Sequence, residues 1–473
     1  MATALNTIAL DLGTTSIKAA VCNNLSQIQQ VFSAPVPTIN SDKGHYVSNA
    51  IEYLATVEQL LKQCQIICQP NPLLGLCYQR SSFVIWDSCS GIPVTKLISW
   101  QDNRGQSSCD ELINFSPLIK QLSGLPLAAY YFAPKLRTLL QRQPELLAGI
   151  INKSLCVGTL DSFIIWHWTA GRHYLTDASM AARTLLMDIH KEQWSQQLTH
   201  IFSIPLAVLP TIKASTNFNL TLDNGAVLQV SLADQSSALL ANVALENHID
   251  TADVKTEILV NLGTGGFVVK LESKESKEDL DGYLRTLVYQ EYQKHSITAI
   301  EGTINSITAV LQSTPYRSCR VEDLAYFPDL FCIAEPSGIG APFLRSELGV
   351  MFSKSIDQLS QKQRVCCLLE AIVFRVALIL EDFTDLPENT RIYLSGGLAN
   401  LSCLQQGIAN CSAAPVFRLL QKHASLQGTA LLINNLAPET YRQAEEIAMV
   451  KHQPLFEKYQ QWKIWFKDVV ELN

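Results

Sequence analysis

Five consecutive residues near the start of the chain, Asp11-Leu12-Gly13-Thr14-Thr15, combine the groups that a phosphate-binding turn requires. Glycine lets the backbone come close to a ligand, and backbone N–H groups and threonine hydroxyls donate hydrogen bonds to phosphate oxygens. The carboxylate of Asp11 can hold a magnesium ion, commonly through water. A hairpin turn that binds no ligand is the alternative interpretation.

The same strand–turn–strand pattern occurs a second time, about half the chain further on. Gly263-Thr264-Gly265 separates two apolar segments, so that NLGTGGFVV aligns with DLGTTSIKA at the first turn. A third glycine pair, Gly396-Gly397, also follows an apolar run. A repeat at this spacing indicates duplicated domains rather than a solenoid, whose period would be about 20–50 residues. Three such turns favour one nucleotide that is bound from two domains.

Asp234 lies where an apolar run predicted as a strand, 227–232, gives way to a stretch predicted as a helix, 238–244. An acidic side chain between a strand end and a helix start is typical of sites in α/β proteins. Its carboxylate could accept the proton of a substrate hydroxyl during phosphoryl transfer. A plain helix N-cap, which aspartate favours, is the alternative.

Two further segments place hydrogen-bonding side chains after predicted strands. One is WQDNR, from Trp100 to Arg104, and the other ends in Gln79-Arg80. Sugars and polyols have a C–H face and many hydroxyls, so an aromatic ring beside several polar groups suits them. A surface turn with one buried tryptophan is the alternative for the first segment, and a surface ion pair for the second.

The elements that must position these residues alternate between helix and strand patterns, which indicates α/β layers. The clearest predicted elements are four helices, which show helical periodicity, and one short strand of buried type at 390–395. The predicted helices are 49–63, 135–147, 361–380 and 401–411.

The chain has 473 residues, which is enough for two domains. We place the boundary near 242–256, just before the second glycine turn. The segment after Pro438 has helical periodicity and carries Trp462, Trp465 and Phe466, so we expect it to pack against the body of the protein.

Composition restricts the class of protein. Apolar residues make up 47% and charged residues 17%, which permits a large core and argues against disorder. The net charge is −7 and no basic stripe occurs, so nucleic acid is not an expected partner. The apolar stretch 366–380 contains Glu370 and Arg375, so no membrane span is expected. The opening residues have no basic leader and the thirteen cysteines no framework spacing, so we expect reduced thiols and a cytoplasmic location.

Taken together and in order, these motifs resemble the FGGY family of carbohydrate kinases, and the glycerol kinases within it are closest in pattern. The resemblance extends from about residue 7 to about 433. Besides the glycine turns, it is carried by the segments 75–87, 91–105, 123–135, 158–186, 335–343, 394–400 and 425–432.

The resemblance implies an α/β fold with two actin-like ATPase (ribonuclease-H-like) domains flanking a catalytic cleft. It implies a sugar- or polyol-binding N-terminal domain at 1–245, an ATP-binding C-terminal domain at 246–437 and a helical tail at 438–473. ATP and Mg²⁺ are the implied cofactors, a small sugar or polyol is the implied substrate, and a homodimer is an implied assembly.

Residue roles follow by matching position. Asp234 would be the general base, and Asp11 and Asp234 would lie beside the metal. The implied nucleotide-binding residues are Asp11, Gly13, Thr14, Thr15, Gly263, Thr264, Gly265, Gly396 and Gly397. The implied acceptor-binding residues are Arg80, Ser81, Trp100, Asp102, Tyr130, Asp234 and Gln235.

Three positions depart from the pattern, one of them Leu401, which stands where an Asn is usual and has Asn400 beside it. Glycerol kinases have a glutamate where this chain has Ser81, and xylulose kinases have Met-His where it has Arg80-Ser81, so the acceptor stays open. Ala233 stands where a glycine usually precedes the catalytic aspartate. The expected function is ATP-dependent phosphorylation of a small polyol or ketose. A weakened relative that senses nucleotide or sugar is one alternative, and another actin-like ATPase is a second.

Overall fold

The computed structural model describes residues 5–42, 44–243, 256–272, 281–294, 296–384, 387–437 and 442–472. The chain forms two compact units, and each is discontinuous in sequence. Unit 1 comprises Met1–Ala241, Arg285–Thr298 and His423–Tyr441, and unit 2 comprises Asn242–Leu284, Ala299–Lys422 and Arg442–Asn473. The predicted boundary at 242–256 and the start of the predicted tail at 438 fall largely outside the described residues. The predicted domain limits therefore stay a prediction.

Unit 1 contains most of the elements in the first half of the chain, together with one helix from near its end. Its strands are β1 (Leu5–Leu12), β2 (Ser16–Asn23), β3 (Ile28–Pro35), β4 (Asn40–Asp42), β5 (His45–Ser48), β6 (Leu73–Tyr78), β7 (Phe83–Asp87), β8 (Leu97–Ile98), β9 (Leu155–Thr159), β10 (Leu175–Asp177), β11 (Met187–Asp188), β12 (Gln193–Trp194), β13 (Thr211–Lys213), β14 (Thr216–Thr221) and β15 (Val227–Ala233). Its helices are α1 (Ala50–Ile67), α2 (Gln106–Glu111), α3 (Ser116–Ser123), α4 (Phe132–Arg142), α5 (Pro144–Ile151), α6 (Leu160–Trp168), α7 (Ala178–Ala181), α8 (Gln196–Ile201), α9 (Asp234–Leu240) and α12 (Ala424–Ile433).

The other elements build unit 2, except that the tip of one hairpin, Arg285–Thr298, belongs to unit 1. The strands are β16 (Thr256–Leu262), β17 (Gly266–Leu271), β18 (Leu284–Gln290), β19 (Ser296–Ile304), β20 (Cys332–Ile333), β21 (Met351–Phe352), β22 (Thr390–Ser395), β23 (Val416–Leu419) and β24 (Ala444–Glu446). The helices are α10 (Gln361–Phe383), α11 (Ser402–Cys411) and α13 (Gln453–Leu472).

The main sheets of the two units share one topology. In unit 1 the order is β3-β2-β1-β6-β15-β14, and in unit 2 it is β19-β17-β16-β22-β23-β24 with β18 added beside β19. Between successive strands of each six, the pairing is antiparallel, antiparallel, parallel, parallel and antiparallel. The predicted duplication is thus confirmed as two α/β units of ribonuclease-H-like type.

The faces of β1 show how the sequence builds unit 1. Side chains alternate across a strand, so Ile8, Leu10 and Leu12 lie on one face, within the main core of the unit. Ala9 lies on the other face, where α12 packs through Leu426 and Ala430. The small alanine leaves room for that helix against the sheet.

Helix ends follow local chemistry. The side chain of Asn49 accepts hydrogen bonds from the first turn of α1, and Ser360 forms a capping box at the start of α10. The single helix predicted at 135–147 is wrong. Pro144 keeps Gln143 out of the helical conformation, at φ −135° and ψ 77°, so α4 ends at Arg142 and α5 begins at Pro144.

Unit 2 has its own core, built around α10. The helix α13 adds Tyr459, Trp462 and Phe466 to it, all of them buried. Within the described residues, no helix is both long enough and apolar enough to span a membrane.

Candidate active site

Three parallel strands of unit 1 bring the predicted chemical groups to one edge of the sheet. The register pairs Leu12 of β1 with Tyr78 of β6, and Tyr78 with Ala233 of β15. The next residue on each strand is therefore Gly13, Gln79 and Asp234 in one row. Because the carboxyl ends of parallel strands meet at one edge, this is where an α/β sheet usually binds its ligand.

Asp234 is the first residue of α9, and Ala233 takes the N-cap position. The N–H of Ala233 donates to the Ser179 hydroxyl at 2.9 Å, which fixes the strand end, and Asp234 Oδ1 accepts the N–H of Gln235 at 2.7 Å. Burial raises the pKa of Asp234 to about 6, and the charge of Asp11 acts in the same direction, whereas that of Arg80 opposes it. The carboxylate is thus not the N-cap that the alternative interpretation required.

Asp11 lies at the end of β1 and is held from α12. Its Oδ2 accepts a hydrogen bond from the Ser425 hydroxyl at 2.6 Å. Burial raises the pKa of Asp11, although the Ser425 hydrogen bond and the charges of Lys18 and His423 oppose the shift.

These two carboxylates suit a magnesium site. Since burial disfavours the ionised form of both, a divalent cation would stabilise them. In the described part of the chain no three His, Cys, Asp or Glu side chains form a metal cluster. Mg²⁺ does not need one, because it is usually held by one or two carboxylates, water and substrate phosphates.

The predicted acceptor groups fall into two sets. In the first, Arg80 donates to Gln235 Oε1, and the residues Trp100 and Tyr130 are each 41% exposed. Tyr130 donates its hydroxyl hydrogen to Tyr131 at 3.2 Å. These side chains reach the surface and could contact a small molecule.

The second set is turned inward. Ser81 is buried at φ 62°, and its hydroxyl donates to the Arg183 carbonyl at 3.2 Å. Asp102 has no exposed surface, and its two oxygens accept from the Arg104 guanidinium at 2.7 and 2.8 Å and from the Tyr46 N–H at 2.8 Å. Burial opposes the effect, but these hydrogen bonds hold the pKa of Asp102 below its usual range.

A buried cation supports the loops that carry Ser81 and Trp100. Lys135 Nζ donates to the carbonyls of Ser81 and Ser99, each at 2.8 Å. Burial lowers the pKa of Lys135 to about 7, although the charge of Asp102 opposes the shift. A neutral amine still has two N–H donors, which matches the two carbonyls.

The glycine turns of unit 2 expose backbone rather than side chains. The Gly263 N–H donates to the Gly265 carbonyl at 2.9 Å, and Thr264 is exposed. Gly396 has φ 91°, and a Cβ there would lie 2.5 Å from both Asn261 Oδ1 and the Leu262 carbonyl oxygen. Beside Gly397 a Cβ would meet nothing within 4 Å. Thr264, Gly396 and Gly397 are exposed, so these parts of the two turns are accessible to a ligand.

Sequence reasoning missed several residues that contact the predicted site. Ser425 lies 414 positions from Asp11, so no local pattern connects them. Tyr53 fits the buried stripe of an amphipathic helix, yet its hydroxyl donates to the Gly13 carbonyl at 2.8 Å. The sequence suggests Gln79 as a group for a sugar or polyol, but in the structure its side chain bonds to Gly13, Thr14 and Ser82 instead.

The two α/β units give the chain the architecture of the actin-like ATPases, and the strand-edge site carries groups that are suited to phosphoryl transfer. Family models confirm the class: the N-terminal domain of the FGGY family of carbohydrate kinases matches residues 6–234, and the C-terminal domain matches residues 258–435. The chain belongs to the FGGY family of carbohydrate kinases. It is therefore an ATP-dependent phosphotransferase that acts on an alcohol group.

Individual relatives support the same class. The glycerol kinase of Mycoplasma mycoides subsp. mycoides is 26% identical, over 93% of this chain and 90% of its own. That of Mycoplasma pneumoniae is 27% identical, over 90% and 88%.

Solved structures show the same fold. Plasmodium falciparum glycerol kinase with ADP superposes with a TM-score of 0.81 at 20% identity, covering 98% of both chains. Ligand-bound xylulose kinase from Lactobacillus acidophilus also gives 0.81, at 17% identity, covering 99% of this chain and 98% of the other.

Proposed function

We propose that this kinase transfers the γ-phosphoryl group of ATP to a hydroxyl of a small polyol or ketose, with Asp234 as general base. The observation that carries the proposal is the position of Asp234, beside Arg80 and Gln235 at the edge that also carries Asp11. A pKa of about 6 leaves the carboxylate largely ionised at neutral pH, yet basic enough to take a proton.

In the proposed reaction, the acceptor hydroxyl gives its proton to Asp234, and its oxygen bonds to the γ-phosphorus. The bond from that phosphorus to the bridging oxygen breaks, and ADP leaves with the electron pair. A bound Mg²⁺ would neutralise charge on the phosphates. Asp11 would hold the metal, with Asp234 near it.

In unit 1, the hydroxyl of Thr15 and the backbone N–H groups of Gly13, Thr14 and Thr15 would bind phosphate. In unit 2, the hydroxyl of Thr264 and the backbone N–H groups of Thr264 and Gly265 would do so, and Gly263 would leave room for the ligand. Gly396 and Gly397 would lie beside the nucleoside, where a side chain would block the approach. These assignments rest on the glycine conformations and on the family match.

For the acceptor, Arg80, Gln235, Trp100 and Tyr130 are the groups that reach the surface. Arg80 can only donate, so Gln235 must turn its oxygen toward Arg80 and can present its NH₂ to a ligand. Asp102 and Ser81 support the loops instead, since their polar atoms are engaged inside the unit. The groups proposed to contact the acceptor are therefore mainly hydrogen-bond donors, beside one base, Asp234. Because a ketone oxygen can only accept hydrogen bonds, such a set suits a ketose at least as well as a triol.

The test is ADP release with Mg–ATP across glycerol, erythritol, pentuloses, deoxyhexuloses, sedoheptulose and gluconate. Asp234→Asn should lower kcat by about a thousandfold, because it removes the base, while ATP binding by calorimetry is retained. Asp223→Asn, at an exposed carboxylate of the same unit, is the matched control.

Strong release with one acceptor, lost only in the Asp234 variant, would establish the function and name the substrate. Full turnover by Asp234→Asn would remove that residue from the base role. If no acceptor gave ADP release while the protein still bound ATP, the result would favour the sensor alternative. Cytoplasmic location and a homodimer also stay proposals, and sedimentation of the purified protein tests the second.

A further inference from the structure

A single buried side chain in unit 1 contacts both the phosphate turn and the acceptor loop. Gln79 follows β6, and its backbone N–H donates to the Leu12 carbonyl at 3.0 Å, extending the pairing with β1 by one bond. Its side chain, 6% exposed, is thereby fixed between the two segments.

The amide oxygen of Gln79 accepts two hydrogen bonds. One comes from the Thr14 hydroxyl at 3.2 Å and the other from the Ser82 hydroxyl at 3.1 Å. Each hydroxyl in turn accepts from Trp100: Thr14 from the indole N–H at 2.8 Å, and Ser82 from the backbone N–H at 2.9 Å. Because each hydroxyl oxygen already accepts an N–H of Trp100, each hydroxyl is free to donate its own hydrogen. Both hydroxyls donate to Gln79 Oε1. The result is a closed ring that holds Trp100 at two points.

The amide nitrogen of Gln79 faces the other way. It donates to the Gly13 carbonyl at 3.3 Å and lies 3.5 Å from the Tyr53 hydroxyl, which itself donates to Gly13 at 2.8 Å. A rotated amide would place its oxygen against the Gly13 carbonyl with no proton between them. The orientation of the amide is therefore fixed by chemistry at both ends.

We propose that Gln79 is a positioning residue that sets the Gly13–Thr14 turn and the Trp100 ring together. The inference rests on the proposed function, in which the turn binds ATP phosphates and the ring lies along the acceptor. Gln79 itself touches neither substrate. It makes the geometry of one binding element depend on that of the other.

Variants can remove all hydrogen bonds of the Gln79 side chain or only those of one arm of the network. One arm leads to the Gly13 carbonyl, and the other leads to Trp100. Gln79→Met keeps the length of the side chain and removes all of its hydrogen bonds. Tyr53→Phe removes the hydroxyl that donates to Gly13 and contacts the Gln79 amide nitrogen, so it acts only on the side of the turn. Ser82→Ala removes the hydroxyl between Gln79 and the Trp100 backbone, so it acts only on the side of Trp100. Gln65→Met is the matched control, because this glutamine makes a hydrogen bond to Asn224 outside the network.

Steady-state kinetics should separate the arms. Gln79→Met should raise the KM for ATP and the KM for the acceptor, each about tenfold, with kcat changed less than about threefold. Tyr53→Phe should raise only the first KM, and Ser82→Ala only the second. The proposal for Gln79 would be overturned if only one of the two KM values rose. It would also be overturned if kcat fell about tenfold while both KM values stayed unchanged.

Hydrogen–deuterium exchange tests the same point without turnover, so it decides even if no acceptor is found. In Gln79→Met, peptides covering 13–17 and 99–104 should both exchange about tenfold faster, while α10 keeps its protection. Loosening of only one peptide would show an ordinary strand-end contact.

If Gln79→Met does not fold, Gln79→Glu replaces it. That variant keeps an acceptor for the two hydroxyls but sets a carboxylate oxygen against the Gly13 carbonyl, so only the 13–17 peptide should loosen. Loosening confined to 99–104 would contradict the arrangement.

Discussion

The two glycine turns occupy equivalent places in sheets of the same topology, yet they are supported in opposite ways. In unit 1, Asp11 is the last residue but one of β1, and the turn after the strand is supported by side chains of Tyr53, Gln79 and Trp100. In unit 2, Asn261 takes the equivalent place, and the turn is closed by its own backbone, with Thr308 donating to the Thr264 carbonyl at 3.1 Å.

We infer from this difference that the two turns took on separate roles after duplication. A turn that must hold a charged group in position needs rigid neighbours, because small misplacement is costly in catalysis. A turn that offers backbone N–H groups to phosphate needs clearance, which glycine supplies. The topology was kept in both copies, and the side chains around each turn diverged.

The largest expected effect is an asymmetry between the two equivalent positions. Asp11→Asn should lower kcat/KM for ATP by about a thousandfold, since the metal loses its carboxylate. Asn261→Asp should cost only about tenfold, through repulsion of the phosphates. Both are measured as ADP release with the preferred acceptor. Equal losses would mean that the two turns have not diverged in role.

The side chains that support the loops of the two units should also contribute differently to the free energy of unfolding. Lys135→Met leaves the buried carbonyls of Ser81 and Ser99 without a donor, so the free energy of unfolding should fall by about 3 kcal/mol. Thr308→Val, which removes the brace of the unit 2 turn at an exposed site, should cost less than about 1 kcal/mol. Urea denaturation measures both, with exposed Lys62→Met as control. A loss for Thr308→Val that matched Lys135→Met would contradict the comparison.

Within unit 2, neighbouring glycines should separate strain from access. Gly396→Ala forces a Cβ onto Asn261 and Leu262 at positive φ and should destabilise the protein by about 2 kcal/mol. Gly397→Ala adds a Cβ in open space, so thermal unfolding without ligand should not change. Its effect should appear in the affinity for ADP. Unfolding that shifts equally in both variants would reject this reading.

The smallest effect concerns pH. Lys135 has a pKa of about 7 in the folded protein and 10.5 as its ordinary value, so between these values the unfolded chain binds more protons. The contribution of this group to stability therefore rises with pH above 7. Wild type should gain about 1 kcal/mol over Lys135→Met between pH 7 and pH 8. A difference that shrinks with pH would show that the amine stays charged.

Local patterns predicted the strand ends, the turns and the α/β layers, because glycine, apolar runs and periodicity act over a few residues. The actin-like fold followed only from the resemblance to the family. Contacts formed by distant segments were beyond that reach, and Ser425 on Asp11 is the clearest example. Periodicity placed Tyr53 on a buried face without showing where its hydroxyl would point. The helix predicted across Pro144 is wrong because the apolar periodicity continues on both sides of a proline that separates two helices.

Helix α12 carries one more consequence, for the order of events during synthesis. A Cβ at Gly428 would lie 1.9 Å from the Ser237 carbonyl oxygen, and Ser237 donates to the Ser425 carbonyl at 2.6 Å, so α9 and α12 are in close contact. The sheet face formed by Ala9, Ala20 and Cys22 is covered only when α12 arrives. Most of unit 1 is therefore synthesised before unit 2, yet unit 1 is complete only after α12. Its earlier strands keep this face uncovered while about two hundred further residues are translated.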